Sequence, residues 1–263
     1  MSIQKQSGGV EDLPHWIELY FEQAYESQML LARVVSLSRN GMAGVIEIPR
    51  LSKAVAKVSG KVRTPEQMAA LEDEAALAKS EVEKDFPVLH SLAAIGLWSR
   101  LEHLVKGLTI EWIIHNKKAL NGLAFQKLKI KVGEYASLTR REQAGYLVEL
   151  PEQETSASLK QGINRFESIL QCIDLSGKVS ERSSKAIFEL QQLRNVIAHR
   201  NGICDRRLRI SCPWLKHKIG QPISISAAQF HSYIAASTDY ALTILFRLGD
   251  RYEIELRSRP DDT

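Results

Sequence analysis

The amino-acid sequence predicts an all-α fold, and three observations carry that prediction. Apolar residues recur every three or four positions through most of the chain, one face of a 3.6-residue period. Helix-opening and helix-closing residues punctuate those stretches. No regular succession of alternating strand patterns intervenes, so helices have only other helices to pack against. The one exception is a pair of short segments late in the chain.

In order, Leu13 to Arg39 carries Trp16, Leu19, Tyr20, Ala24, Met29, Leu30, Val34 and Leu37 at helical spacing and predicts a long first helix, ended by Asn40-Gly41. Residues 51–62 read either as a short helix or as a loop. Thr64-Pro65-Glu66-Gln67 opens the next helix: a threonine cap, a proline whose missing N–H costs nothing at the first turn, and a glutamine at the capping-box position. That helix is expected to reach Asp85, and its acidic residues Glu72, Asp73, Glu74, Glu81, Glu83 and Asp85 read as a solvated face. From Val88 to Asn116 comes the longest apolar pattern. Phe125 to Leu138 alternates Lys127, Lys129 and Lys131 with apolar residues and predicts a short basic amphipathic helix, a solvated face or one able to track a phosphate backbone.

A helix from Thr139 is expected to give way at Leu150-Pro151 to a polar linker, residues 152–158, before another helix over Leu159 to Ile173 and a loop over residues 174–180. Residues 186–202 form the next helix. Beyond it, Leu208 to Cys212 and Gln221 to Ser226 are expected to pair as a small hairpin-like excursion, and Ser226 to cap a last helix from Ala227 to Leu248. The predicted organisation is a helical N-terminal region, residues 1–85, a helical core domain, residues 86–255, and a polar tail, residues 256–263.

With 263 residues, 44% of them hydrophobic and 25% charged, the chain is long enough and apolar enough for a sizeable core. No run approaches the roughly 20 apolar residues of a membrane span. Met1 to Gly9 lacks an apolar signal core, and the odd set Cys172, Cys204 and Cys212 has no framework spacing, so a soluble cytoplasmic protein is expected. The net charge of +4 permits a polyanionic partner without requiring one. Its distribution says more: residues 194–218 contain Arg194, Arg200, Arg206, Arg207, Arg209, Lys216 and Lys218 against Asp205 alone.

That basic excess surrounds the most informative stretch. Ile187, Leu190, Leu193 and Ile197 form an apolar stripe, and Gly202 just beyond it is a left-handed helix cap, which puts His199 and Arg200 in the last turn. At 3.6 residues per turn Asn195 and His199 lie within about 40° of each other, while Arg194 and His199 diverge by about 140°. Either the last turn distorts, or a second copy of the helix across a twofold axis completes one pocket; the second is the better idea.

Arg194-Asn195-Val196-Ile197-Ala198-His199 resembles the signature of the HEPN superfamily of helical RNA-cleaving and nucleotide-binding domains, an Arg, a polar residue, three more residues and a His. The continuation through Asp205 is similar to that of its stand-alone members. The resemblance implies a HEPN-like helical bundle in a homodimer whose two motifs face each other. It assigns His199 as general base or acid, Arg194 as phosphate binder and transition-state stabiliser, and Asn195 as a positioning group. Arg200, Arg206, Arg207 and Arg209 would add sequence-independent phosphate affinity.

Glu102, on the helix from Val88, has two readings: by resemblance it points toward the Arg/His site, and by spacing it pairs with Lys106 at i+4. The implied activity is a metal-independent endoribonuclease working by 2′-hydroxyl attack, with no cofactor, in the setting of a toxin with its antitoxin protein or of host defence. The alternative is a catalytically inactive HEPN-like module that binds RNA or a nucleotide, or senses a partner.

Other chemistries fare worse. His199, Cys204, Cys212 and His217 match no zinc spacing. Cys204 with His199 lacks an orienting third group, and no glycine-rich phosphate loop is present.

Overall fold

The computed structural model describes residues 12–154 and 161–256. The polar N-terminal tail, the later part of the expected linker and the C-terminal tail from residue 257 lie outside the described residues. The expected all-α class is what forms: α1 (His15–Val45), α2 (Ile48–Ser59), α3 (Pro65–Glu83), α4 (Pro87–His115), α5 (Leu123–Gln126), α6 (Val132–Ala136), α7 (Arg140–Glu154), α8 (Ile163–Gln171), α9 (Glu181–Arg200), α10 (Arg206–Ser211) and α11 (Ala227–Tyr252). Among the described residues no strand forms, and the one β-type pairing is an isolated bridge between Ile203 and Pro222. No helix among them is long and apolar enough to cross a membrane.

Several helix ends follow local rules. The Thr64 hydroxyl accepts from the Gln67 N–H at 3.3 Å while the Gln67 side chain accepts from the Thr64 N–H at 3.1 Å, the reciprocal box that opens α3. Ser226 and Gln229 repeat it at the start of α11. Of the two readings for residues 51–62, the helix is the one that forms, and Gly60 closes it with φ 70° and its N–H on the Ala56 carbonyl.

Other expectations are corrected. Asn40-Gly41 does not end α1, which runs on to Val45: Gly41 does not turn left-handed, and a glycine inside a helix costs only about 1 kcal/mol relative to alanine. The basic helix expected over Phe125 to Leu138 is interrupted. Residues 127–131 are non-helical between α5 and α6, because the segment has little to bury beyond Phe125. Helix α7 continues through Pro151.

Nor is the acidic run of α3 all solvated. Glu81 is buried and accepts from the Val88 and Leu89 N–H groups, and Asp85 accepts from the Ala227 N–H at 2.7 Å, so each satisfies donors at the start of a later helix.

Contacts divide the chain into two compact units. The first comprises Met1–Glu26, Arg100–Phe188 and Ala236–Thr263, the second Ser27–Ser99 and Glu189–Ala235. In the first, Leu101, Leu104, Val105, Leu108, Phe166, Ile187, Tyr240 and Ile244 are buried. Glu167 is its polar anchor: it accepts from Tyr240 Oη at 2.8 Å, from Arg247 Nη1 at 3.0 Å and from the Gly177 N–H at 2.7 Å. Together with Arg247 bonds to the Leu175 and Lys178 carbonyls, this fixes the loop that leads into α9. In the second unit Leu97, Trp98, Leu190, Leu193, Val196, Leu208, Ile225, Phe230 and Tyr233 are buried, and this is the framework that carries the site.

Candidate functional site

The site begins with the way α9 stops. Its buried stripe is Ile187, Leu190 and Leu193, as the sequence suggested, and then Val196, with Ile197 only half-buried, so the stripe differs from the expected one at its last position alone. After Arg200, both Asn201 and Gly202 adopt left-handed backbone, φ 51° and 70°, and the Gly202 N–H reaches back to the Val196 carbonyl at 3.1 Å. His199 and Arg200 thus occupy the last turn, where cations complement the helix dipole.

The chain then returns across the helix end. The Cys204 N–H donates to the Gln221 carbonyl at 2.9 Å, the Gly220 N–H to the Cys204 carbonyl at 2.9 Å, and the Ile223 N–H to the Gly202 carbonyl at 2.8 Å. Of the excursion expected between Leu208–Cys212 and Gln221–Ser226, the second arm does pair from Gln221 to Ile223, but its partners are Gly202, Ile203 and Cys204. Residues 206–211 form helix α10 instead. Asp205 decides this, because its carboxylate accepts from the Leu208 N–H at 2.8 Å and caps α10. Leu208 and Cys212 are both 1% exposed and Ile210 is 68% exposed, the burial of an i, i+4 helical face rather than of alternate strand residues.

Between the C-terminal half of α9 and the first turn of α10 opens a cleft of about 340 Å³ lined by Gln192, Asn195, Val196, His199, Arg200, Asp205, Arg207 and Leu208. Gln192, Asn195, Val196 and His199 stand at i, i+3, i+4 and i+7 on one face of α9, so the expected convergence of Asn195 with His199 is present. Arg194 does not line the cleft, as the helical angle requires. Its Nη1 donates to Asn195 Oδ1 at 3.2 Å, and its Nε is buried with no hydrogen-bond partner among the described residues. Arg194 reaches the site through Asn195.

The other expected residues separate. His199 is exposed at the rim. The Arg200 Nε is 3.8 Å from Asp205 Oδ2, a loose pair whose carboxylate also caps α10. Arg207 lines the cleft, Arg206 is exposed, and Arg209 donates to the Pro213 carbonyl at 2.7 Å. Glu102 belongs to the first unit, where it pairs with Arg165 at 2.9 Å, a partner that neither of its two readings named.

Burial, with the Asp205 charge beside it, pushes the Cys204 thiol above its ordinary range, which makes it a poor nucleophile. Among the described residues no three His, Cys, Asp or Glu side chains gather as a metal site. Sequence reasoning missed Gln192, although it stands one heptad before His199, and it missed Glu189. The Glu189 carboxylate accepts from both Trp214 Nε1 and Tyr233 Oη, and it pushes the Tyr233 hydroxyl, already raised by burial, further up.

The fold and the site together define an all-α chain with an asparagine–histidine face opening onto an arginine-bearing cleft. No protein-family model, curated protein or solved structure matches the chain.

Proposed function

We propose that the chain is a metal-independent endoribonuclease of HEPN type, acting in the cytoplasm as a homodimer. The observation that carries this reading is the shared cleft wall of Asn195 and His199, with Arg200 and Arg207 beside it and Arg194 bonded to Asn195. RNA cleavage without a metal needs a base for the 2′-hydroxyl proton, a cation for the charge that develops on phosphorus, and an acid for the leaving oxygen.

In this reading His199 removes the proton as O2′ bonds to phosphorus and the bond to O5′ breaks. The products are a 2′,3′-cyclic phosphate and a 5′-hydroxyl, and the proton reaches O5′ from an imidazole. One chain offers a single cleft histidine, so the second copy's motif supplies the other proton-transfer group. Arg200 and Arg207 hold phosphate oxygens, and Asn195, oriented by Arg194, positions the linkage. Such activity suits a toxin covered by an antitoxin protein, or a host-defence effector.

The test is digestion of unstructured RNA in the presence of a chelator. Wild type is expected to cut and His199→Ala to lose at least about a hundredfold in rate, the usual worth of a general acid–base group. Because His199 is exposed, the variant should melt with wild type. Equal cleavage by the two would refute the assignment. A second reading, a catalytically silent RNA- or nucleotide-binding module, is favoured by the position of Arg194 outside the cleft; RNA binding without cleavage by wild type would select it.

A further inference from the structure

We propose that α2 and the turn after it form a docking face for an anionic lipid surface, the aliphatic side entering the membrane interface and the cations meeting the headgroups. A short helix is marginal by itself and usually persists by burying one side. Helix α2, 12 residues long, buries none of them. Its sequence is nevertheless two-sided. On the helical projection Ile48, Leu51, Val55 and Val58 fall within about 80°, while Arg50, Lys53 and Lys57 fall within about 60° on the far side.

The aliphatic side is open. Leu51, Val55 and Val58 are 54%, 61% and 91% exposed, and Val62, just beyond the helix, is 81% exposed. The neighbouring α3 lies elsewhere around the helix: Lys53 reaches its Glu72 at 2.8 Å, and Lys53 stands about 140–160° from Leu51, Val55 and Val58. Gly60, left-handed at φ 70°, turns the chain back, and Arg63 Nε donates to Ser52 Oγ at 2.9 Å. The groove so formed, about 560 Å³, is lined by the aliphatic Ile48, Leu51, Val55 and Val62 together with the cations Lys61 and Arg63.

Charge and side-chain type choose the occupant. Residues 48–63 contain Arg50, Lys53, Lys57, Lys61 and Arg63 and no carboxylate. Arg50 pairs with Glu47 and Lys53 with Glu72, whereas no carboxylate among the described residues pairs with the exposed Lys57, Lys61 or Arg63. The occupant therefore brings negative charge to the same place as apolar atoms.

A second copy set on this face across a twofold axis would oppose these cations with their own equivalents. Nucleic acid brings the charge but no aliphatic surface. Protein interfaces are depleted in lysine and anchored on aromatic residues, and residues 48–63 have lysines and no aromatic residue. An anionic bilayer interface supplies both chemistries without shape complementarity, and lysine stems can lie along its apolar region with their ammonium groups at the phosphates.

The test is co-sedimentation of the full chain with vesicles of phosphatidylcholine alone and with vesicles in which about a third of the lipid is phosphatidylserine. Wild type is expected to bind the second kind and not the first, more weakly as salt rises. Val58→Glu, at an exposed position where melting should not change, is expected to lose about tenfold or more through lost apolar burial and added repulsion. Lys57→Gln and Lys61→Gln should each cost about fivefold. Arg207→Ala should bind vesicles as wild type does, which separates this face from the basic cleft.

Equal binding to both kinds of vesicle, binding to neither, or anionic-vesicle binding that Val58→Glu leaves unchanged would overturn the proposal. So would a wild-type dimer that Val58→Glu splits, which gives the face to a second copy, or Val58-dependent binding of a synthetic acidic amphipathic helix in place of vesicles, which gives it to a protein partner. The ribonuclease reading fails separately, since the α2 variants should cut RNA as wild type does and His199→Ala should bind vesicles as wild type does.

Discussion

Arg207 is the cleft cation whose role is easiest to isolate, because it is exposed and its removal leaves no buried group unpaired. If it neutralises one phosphate, Arg207→Ala should lower RNA affinity for every sequence alike and reduce the slope of log affinity against log salt by about 0.7, the single-strand value per contact. A titration at several salt concentrations checks both, and an unchanged slope would remove Arg207 from the phosphate path. His217 makes a different prediction. Burial holds its imidazole below its ordinary range, and its Nε2 is buried with no hydrogen-bond partner among the described residues. The folded state therefore resists protonation that the unfolded chain accepts. Above about pH 6.5, the ordinary histidine value, both states are neutral at this position and nothing is lost. As pH falls through that value toward the lower folded one, the unfolded state takes up the proton first and stability drops. Chemical denaturation at pH 5 and pH 7.5 should show that drop in wild type and a smaller one in His217→Gln.

At the scale of the element, α10 makes the site. Without the Asp205 cap the segment after Gly202 has no reason to leave the extended course that Leu208, Ile210 and Cys212 suggest, and no second wall would face α9. The helix is testable by its two faces. Leu208→Ala should cost about 2–5 kcal/mol, as a buried leucine does, while Ile210→Glu should stay within about 0.5 kcal/mol. Urea denaturation of the two variants decides it; comparable losses at both positions would indicate alternate strand burial instead. Element boundaries were readable wherever a side chain satisfied its own helix end, as Thr64 and Ser226 do. What could not be read was which distant group joins such an end, as Glu81 does at the start of α4 and Asp85 at the start of α11.

At the scale of the whole molecule, the proposed reaction needs two proton-transfer groups, and the described cleft is lined by one histidine. The proposed twofold partner would supply the second group and would let Arg194, angled away from His199 on its own helix, serve a shared site. If one site needs the His199 of both copies, every mixed dimer formed when wild type is co-expressed in equal amount with His199→Ala should be inactive. A quarter of the dimers then contain two intact copies, so about a quarter of wild-type cleavage is expected. Half of wild-type cleavage would show that each copy works with its own histidine. In the proposed reading the basic surroundings of the motif would act at this scale too, attracting a polyanion whatever its sequence.

The sequence by itself determined the all-α class, the capped starts of α3 and α11, the last-turn position of His199, and the shared face of Asn195 and His199 apart from Arg194. All of these follow from the 3.6-residue period and from hydrogen bonds spanning a few residues. Only the tertiary structure decided that Val196 rather than Ile197 faces the core, that the return of residues 220–223 across Gly202 and Cys204 frames α10 as a wall, that Glu102 meets Arg165, and that Trp214 is held by Glu189. Those outcomes join residues far apart in the chain, and no local spacing states which distant group will arrive to satisfy a buried donor or cover an apolar face.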